Sequence, residues 1–239
     1  KRLSTFMKII IKSFHVFLSI TLPFVILMFS VVILFKPWFL VFEYRKTNFP
    51  PDPYGFSIEE RLDYGIQSVQ YIVNNRSDDF LANITFKNSN TPIYKSQEIS
   101  HMSDVKNVYR TARLIWEALL ILYLILFLVS WKHPAQLLSF LKHFIIGNLF
   151  SILLLVAVLL LVVLAFDPLF EAFHSLFFKE GSWLFYQDDT LIRLFPEKLW
   201  VDAFLIAGGL SFIFSVAFFF IGRNAYRRIS INSRNGRPI

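Results

Sequence analysis

Three consecutive segments decide the fold: LIWEALLILYLILFLVSW (Leu114–Trp131), KHPAQLLSFLK (Lys132–Lys142) and HFIIGNLFSILLLVAVLLLVVLAF (His143–Phe166). The first has a single charge, Glu117, near its start, and the third has no Lys, Arg, Asp or Glu. The segment between them has lysines at both ends and no acid. At about 1.5 Å per helical residue, each apolar run is long enough for about 30 Å of hydrocarbon. Lipid offers the backbone no hydrogen bonds, so such runs must be helical. The stretch reads as two membrane spans joined by a short basic turn.

The same reasoning applies outward on both sides. Ser13–Phe35 and Ala203–Gly222 are also free of charged residues. All 17 acidic residues fall in Glu43–Glu117 and Asp167–Asp202, whereas Lys1–Lys12, Lys132–Lys142 and Arg223–Arg237 are basic only. Those three segments hold 11 of the 24 Lys and Arg residues. Short basic segments remain cytoplasmic, so both termini are expected inside and the acid-bearing segments outside. The net charge of +7 then belongs to the inner side of a membrane protein and is no sign of nucleic-acid binding.

The expected architecture is an all-α polytopic membrane protein of four transmembrane helices with a small extracytoplasmic α(+β) cap. Residues 1–36 form a cytoplasmic N-terminus and first span, 37–110 the first outer segment, and 111–131 the second span. Residues 132–142 form a cytoplasmic loop, 143–166 the third span, and 167–202 a second outer, interfacial segment. The fourth span is 203–222, and 223–239 form a cytoplasmic tail. The first apolar run is too long for a signal peptide, lacks a small-residue cleavage site and is followed by Trp38, Phe39 and Tyr44, so it reads as a retained anchor. The chain has no Cys, so packing must hold the outer part together without disulfides. Ala207, Ser211 and Ser215, with Gly208 beside them, form a small-residue packing seam on the last span.

In the first outer segment, Asn48–Pro53 is a proline-stiffened linker. Ser57 and Glu60 form a capping box, predicting a helix over about 58–73 with Leu62, Ile66, Val69 and Val73 on one face and a stop at Asn74-Asn75. Phe80–Phe86 reads as a short strand, Asn88–Pro92 as a turn, and Ser100 as the N-cap of a helix entering the second span. Asn75-Arg-Ser and Asn83-Ile-Thr match the glycosylation pattern, which is common by chance and carries no weight. In the second outer segment, Asp167 and Pro168 read as N-cap and N1 of a helix reaching about Phe178. The aromatics there (Phe170, Phe173, Phe177, Phe178, Trp183, Phe185 and Tyr186) suit either an interfacial belt or the wall of an acyl-chain site.

The chain has no Walker loop, GxGxxG, HExxH or G-x-S-x-G, and without Cys it has no thiol chemistry. Histidine exchanges protons near neutral pH and is the informative residue. His15, His133 and His143 lie in or beside the inner ends of spans and read as structural. His101 and His174 lie one in each outer segment at matched depth and read as a catalytic pair. Asp104, three residues after His101, is placed to orient it, and first-turn helix-dipole stabilisation explains that acid equally well. Glu171 stands three residues before His174. Asp188, Asp189 and Arg193 are suited to holding a headgroup or supporting a histidine. Two other readings stand beside catalysis by the pair: a zinc hydrolase using His101, Asp104 and His174, and a non-enzymatic lipid- or lipoprotein-binding protein.

His101-Met-Ser-Asp104-Val, Phe173-His174-Ser-Leu-Phe-Phe178, Trp183 and Asp188-Asp189-Thr-Leu-Ile-Arg193-Leu-Phe-Pro196-Glu197, in this order among the spans, resemble the bacterial lipoprotein intramolecular transacylases over nearly the whole chain. The resemblance implies a multi-pass protein of the bacterial cell membrane with its active site on the extracytoplasmic side. It implies transfer of the sn-2 acyl chain of a diacylglyceryl lipoprotein to the α-amine of its N-terminal cysteine, giving the lyso form. Diacylated lipoproteins and membrane lipids would be its partners, with no cofactor, metal or nucleic acid. The family's two essential histidines map onto His101 and His174, with Asp104, Trp183, Asp188, Asp189 and Arg193 in binding or supporting positions. His174 is the preferred base and His101 the oxyanion or leaving-group partner. The reverse order, and a covalent acyl-histidine, are equally compatible with the sequence.

Overall fold

The computed structural model describes residues 2–74, 76–87 and 89–234, without the side chains of 2–9, 12 and 234. The helices are α1 (Arg2–Leu34), α2 (Pro37–Tyr44), α3 (Ile58–Val73), α4 (Asp78–Ala82), α5 (Ser96–Trp131), α6 (Pro134–Leu164), α7 (Phe166–Phe177), α8 (Thr190–Leu194) and α9 (Glu197–Arg234). Ser13–Leu34, Ser96–Trp131, Pro134–Leu164 and Glu197–Ser233 are long and apolar enough to cross a membrane. The fold is all-helical with four candidate spans, as expected. The β part of the expectation fails: among the described residues there is no strand, only an isolated Thr85–Pro92 bridge.

Several boundaries move for local reasons. The expected strand over Phe80–Phe86 begins instead as α4, because Asp78 and Asp79 in its first turn favour a helix N-terminus. α5 begins at Ser96, four residues ahead of the expected Ser100 cap, and Glu98 accepts the Lys95 amide at 2.7 Å. The helical break at the basic turn is only Lys132-His133, because Pro134 takes the first helical position and the His133 carbonyl accepts from Gln136 and Leu137 at 2.9 Å each. α7 begins at Phe166 with Ala165 as N-cap, so Asp167 and Pro168 sit inside its first turn. The Ser57–Glu60 capping box forms as expected, with bonds of 3.1 and 2.9 Å. The buried face of α3 is rotated from the expected one: Arg61, Tyr64, Gly65, Ser68, Tyr71 and Ile72 join Val69, whereas Leu62, Ile66 and Val73 are half-buried. Asn75 and Asn88, and residues 235–239 of the tail, lie outside the described residues.

The chain divides into two compact units, residues 1–30, 114–160 and 207–239, and residues 31–113 and 161–206. In the first, Leu18, Leu126, Leu137, Phe140 and Leu141 form a core. Side-chain hydrogen bonds tie its helices together, a device suited to lipid surroundings. Trp116 donates to the Val25 carbonyl at 2.9 Å and Tyr123 to that of Leu18 at 2.6 Å. The small-residue seam packs as read: Ala207, Ser211 and Ser215 are buried, and the Ser211 hydroxyl donates to Ser30 at 2.9 Å. A Cβ on Gly208 would meet Leu159 at 2.7 Å. His15 and His143, read separately from the sequence, are neighbours with ring centroids 5.9 Å apart, and His15 also bonds Ser139 at 3.1 Å and Ser130 at 3.3 Å.

The second unit has a core of Phe56, Tyr64, Tyr71, Ile72, Leu81, Ile84, Ile93, Tyr94, Met102, Tyr109, Leu191 and Leu194. Burying each large apolar side chain contributes roughly 1.5–3 kcal/mol. Several polar groups inside find partners. Tyr44 donates to the Leu194 carbonyl, Thr190 to that of Ile93, and Arg61 to that of Pro50 at 2.7 Å. Glu43 is fully buried and is neutralised by Lys46 at 2.7 Å, which also reaches Asp202 at 2.9 Å. α2, α4 and α8 pack on α3, and Ile99, Met102 and Val105, on the turns of α5 that carry His101, join the same core.

Candidate active site

The second unit brings His101 of α5 and His174 of α7 together. Their ring centroids are 6.2 Å apart and their planes 22° from parallel, and both residues are buried. On α7, Phe170 lies one turn before His174, and its carbonyl accepts from His174 Nδ1 at 2.8 Å. A carbonyl oxygen only accepts, so Nδ1 carries the proton and the lone pair of neutral His174 is on Nε2. Burial holds the His174 imidazole below the usual histidine range, while the Phe170 bond opposes that shift. His174 therefore stays a neutral, basic imidazole at neutral pH.

The aromatics divide into two groups. Phe170, Trp183 and Phe178 surround His174 at centroid distances of 4.1, 4.9 and 5.6 Å, and Phe178 and Phe185 stand 4.9 and 5.4 Å from His101. Leu176, Phe177, Leu184 and Tyr186 are exposed, leaving an apolar outer face on the same segment. The stretch thus has an inner set of rings around the histidines and an outer set of exposed apolar side chains. The inner set excludes water from the histidines, which strengthens any charge-stabilising contact made there.

Other expected site residues do different work. Asp104 and Glu171 are exposed, and among the described residues neither hydrogen-bonds a site histidine. Asp188 is also exposed. Buried Asp189 pairs with Lys95 and accepts the Tyr186 amide at 2.8 Å. Arg193 forms a two-point bond to Asp52, 2.9 Å from Nη2 and 3.2 Å from Nε, and stacks 3.6 Å over Phe56. Both shape the scaffold and do not touch the rings. Sequence reasoning missed Glu98. Its buried carboxylate accepts from Leu191 at 2.8 Å and Lys95 at 2.7 Å, pinning the first turn of α5, three residues before His101, to α8. Its cue was an acid in a first helical turn, which by itself does not distinguish a buried clamp from a solvated one.

No metal set forms around the pair: among the described residues no three His, Asp or Glu side chains come together as ligands. The three-ligand arrangement of the zinc reading fails because Asp104 points to solvent. What remains is a pair of buried imidazoles, one with its Nδ1 held by the Phe170 carbonyl.

Residues 16–200 match the family model described as lipoprotein intramolecular transacylase Lit. The chain belongs to this family. It is therefore a multi-pass membrane acyltransferase of the lipoprotein intramolecular transacylase class. An in meso structure of the membrane-integral transacylase Lit from Bacillus cereus aligns with a TM-score of 0.69 at 20% identity, covering 96% of this chain and 99% of that one. A second structure of that protein, carrying a histidine-to-arginine substitution, aligns with a TM-score of 0.68 at 17% identity over 99% of each chain. At these identities the two structures support the fold. An uncharacterized protein of Aquifex aeolicus is 30% identical over 211 residues, 88% of this chain and 94% of that protein.

Proposed function

We propose that the chain moves the sn-2 acyl chain of a diacylglyceryl lipoprotein to the α-amine of its N-terminal cysteine, leaving the lyso form. The observation that carries the reading is the buried His101–His174 pair with His174 Nδ1 held by the Phe170 carbonyl. An α-amine has a pKa of about 7.7–8.0 and is mostly protonated at neutral pH. It must lose protons to attack an ester. His174 Nε2 accepts the proton as the amine nitrogen closes on the acyl carbon. The carbonyl π electrons move to oxygen, and a donor stabilises that oxyanion. The C–O bond then breaks, and the glyceryl oxygen takes the proton from the histidine pair. The first ammonium proton goes to solvent and the second passes through the histidine to the glyceryl oxygen, so ammonium and ester become amide, alcohol and one released proton, and no nucleotide, cofactor or second acyl donor is required.

The same reading places the site on the outer side of a bacterial membrane, with both termini and Lys132–His133 inside. Support comes from the distribution of acidic and basic residues along the chain. The exposed apolar side chains of α7 and the following loop lie in the bilayer interface and admit acyl chains. Asp189 and Arg193 support the site through their ion pairs with Lys95 and Asp52. The direct test is mass spectrometry of N-terminal lipopeptides from cells with and without the protein. The lyso form should appear only with it; unchanged lipopeptides would refute the reading.

A further inference from the structure

Among the described residues, six buried side-chain polar atoms have no hydrogen-bond partner, and two of them, Trp183 Nε1 and His101 Nδ1, belong to the ring cluster around His174. Buried donors are nearly always matched, and an indole N–H can only donate. Trp183 is also held firmly in place. Gln97 of α5 donates to the carbonyls of Gly181 and Leu184 at 3.4 and 3.3 Å, on either side of it. Gly181, at φ 78°, supplies the turn that an L side chain would resist. The Trp183 ring is 4.9 Å from His174 and the His101 ring is 6.2 Å from His174, centroid to centroid, so the unmatched N–H belongs to a ring packed against the imidazole that would receive the amine proton.

We propose that the Trp183 indole N–H donates to the carbonyl oxygen of the scissile ester as it becomes an oxyanion, which makes Trp183 a catalytic residue. This inference rests on the transacylase reading above. As the amine nitrogen bonds to the acyl carbon, the carbonyl oxygen gains the electron pair and turns from a weak to a strong acceptor. A donor waiting unpaired gains most at that point and needs no reorganisation. His101 Nδ1, the other unmatched atom, is the second position available to the same oxygen. When the bond between the acyl carbon and the glyceryl oxygen breaks, the electron pair on the oxyanion re-forms the carbonyl and the indole keeps its proton throughout.

The test uses purified full-length protein, a synthetic diacylated lipopeptide and the same lipopeptide with its sn-2 ester made a thionoester, whose sulfur accepts hydrogen bonds poorly. Trp183→Phe keeps a ring and removes the donor. It should lower kcat by about 10²–10³-fold, the cost of losing one oxyanion donor, with KM little changed. Wild type should be slowed by the thionoester and Trp183→Phe much less so, a coupling that a purely structural ring would not produce. Benzothienylalanine at residue 183 keeps the bicycle and replaces N–H by sulfur, and should repeat the kcat loss even if the Phe variant is unstable. Wild-type kcat with benzothienylalanine, or equal thionoester penalties in wild type and variant, would overturn the proposal. If His101→Ala and His174→Ala were themselves fully active, the underlying transacylase reading would be at fault instead.

Discussion

His174 Nδ1 donates to the carbonyl of Phe170, four residues earlier on the same helix, at 2.8 Å. This bond uses a carbonyl already placed by α7 and leaves Nε2 as the nitrogen that takes the proton in the proposed reaction. It replaces the carboxylate that orients a catalytic histidine in a triad, so Asp104 and Glu171 are free to remain in solvent. The base therefore has no anionic neighbour to raise its pKa, and burial lowers it.

Replacing His174 or His101 by Ala should reduce transfer by about 10²–10⁴-fold, the usual contribution of a positioned acid or base. Because both act in one step, the double variant should be no slower than the slower single variant. Initial rates on a diacylated lipopeptide check this; near-normal activity in both single variants would remove the pair from the reaction. Both rings are buried, so a modest loss of thermal stability is expected as well.

The pH profile follows from the direction of the His174 shift. A lowered pKa means that His174 loses basicity only below the usual histidine range near 6.5. Between about pH 7 and 8 the rate should instead rise with deprotonation of the substrate amine. Measured kcat/KM should show no inflection near 6.5 from His174. An ascending limb centred there would show a solvent-like histidine and contradict the buried geometry.

Glu98 should matter for stability more than its position in a first turn implies. Glu98→Ala removes acceptors for the Leu191 and Lys95 amides. Hydrogen bonds to a charged partner are worth about 1.5–3 kcal/mol each, so the cost should be about 3 kcal/mol or more, read as a fall in melting temperature. Because the clamp holds the turn before His101, activity should fall too, and Glu98→Gln should recover part of both. An unchanged melting temperature for the Ala variant would refute the clamp.

Topology is open to a direct check. Reporters after Lys12, at Gln136 and after Arg228 should read as cytoplasmic, and those at Asn90 and Gly181 as external. An external signal at Gln136 would overturn the orientation.

The long apolar runs and the histidine pair were legible because each depends on local facts: hydropathy over about 20 residues, and rare residues at helix ends. The rest depended on partners distant in sequence. Phe80–Phe86 looked like a strand by composition, yet Asp78 and Asp79 set a helix start and Leu81 is completely buried in the core. α3 turned its Arg61 face inward because Tyr44, Phe49 and the Pro50 carbonyl receive that guanidinium. Asp189 and Arg193 read as groups to hold a headgroup or support a histidine, while their partners in the fold, Lys95 and Asp52, lie 94 and 141 residues away. The spacing of His101 and Asp104 allows a shared helical face, but it does not say where the carboxylate points.

The central claim is that acyl transfer occurs within one lipoprotein, and the source of the acyl group tests it most directly. Purified protein in detergent should receive a lipopeptide whose sn-2 chain alone carries an isotopic label, with unlabelled phospholipid present. The account predicts that the label moves to the α-amine, that no nucleotide or metal is needed, and that a lipopeptide with a blocked amine is inert. An unlabelled amide, with its chain drawn from the surrounding phospholipid, would show intermolecular transfer and contradict the account.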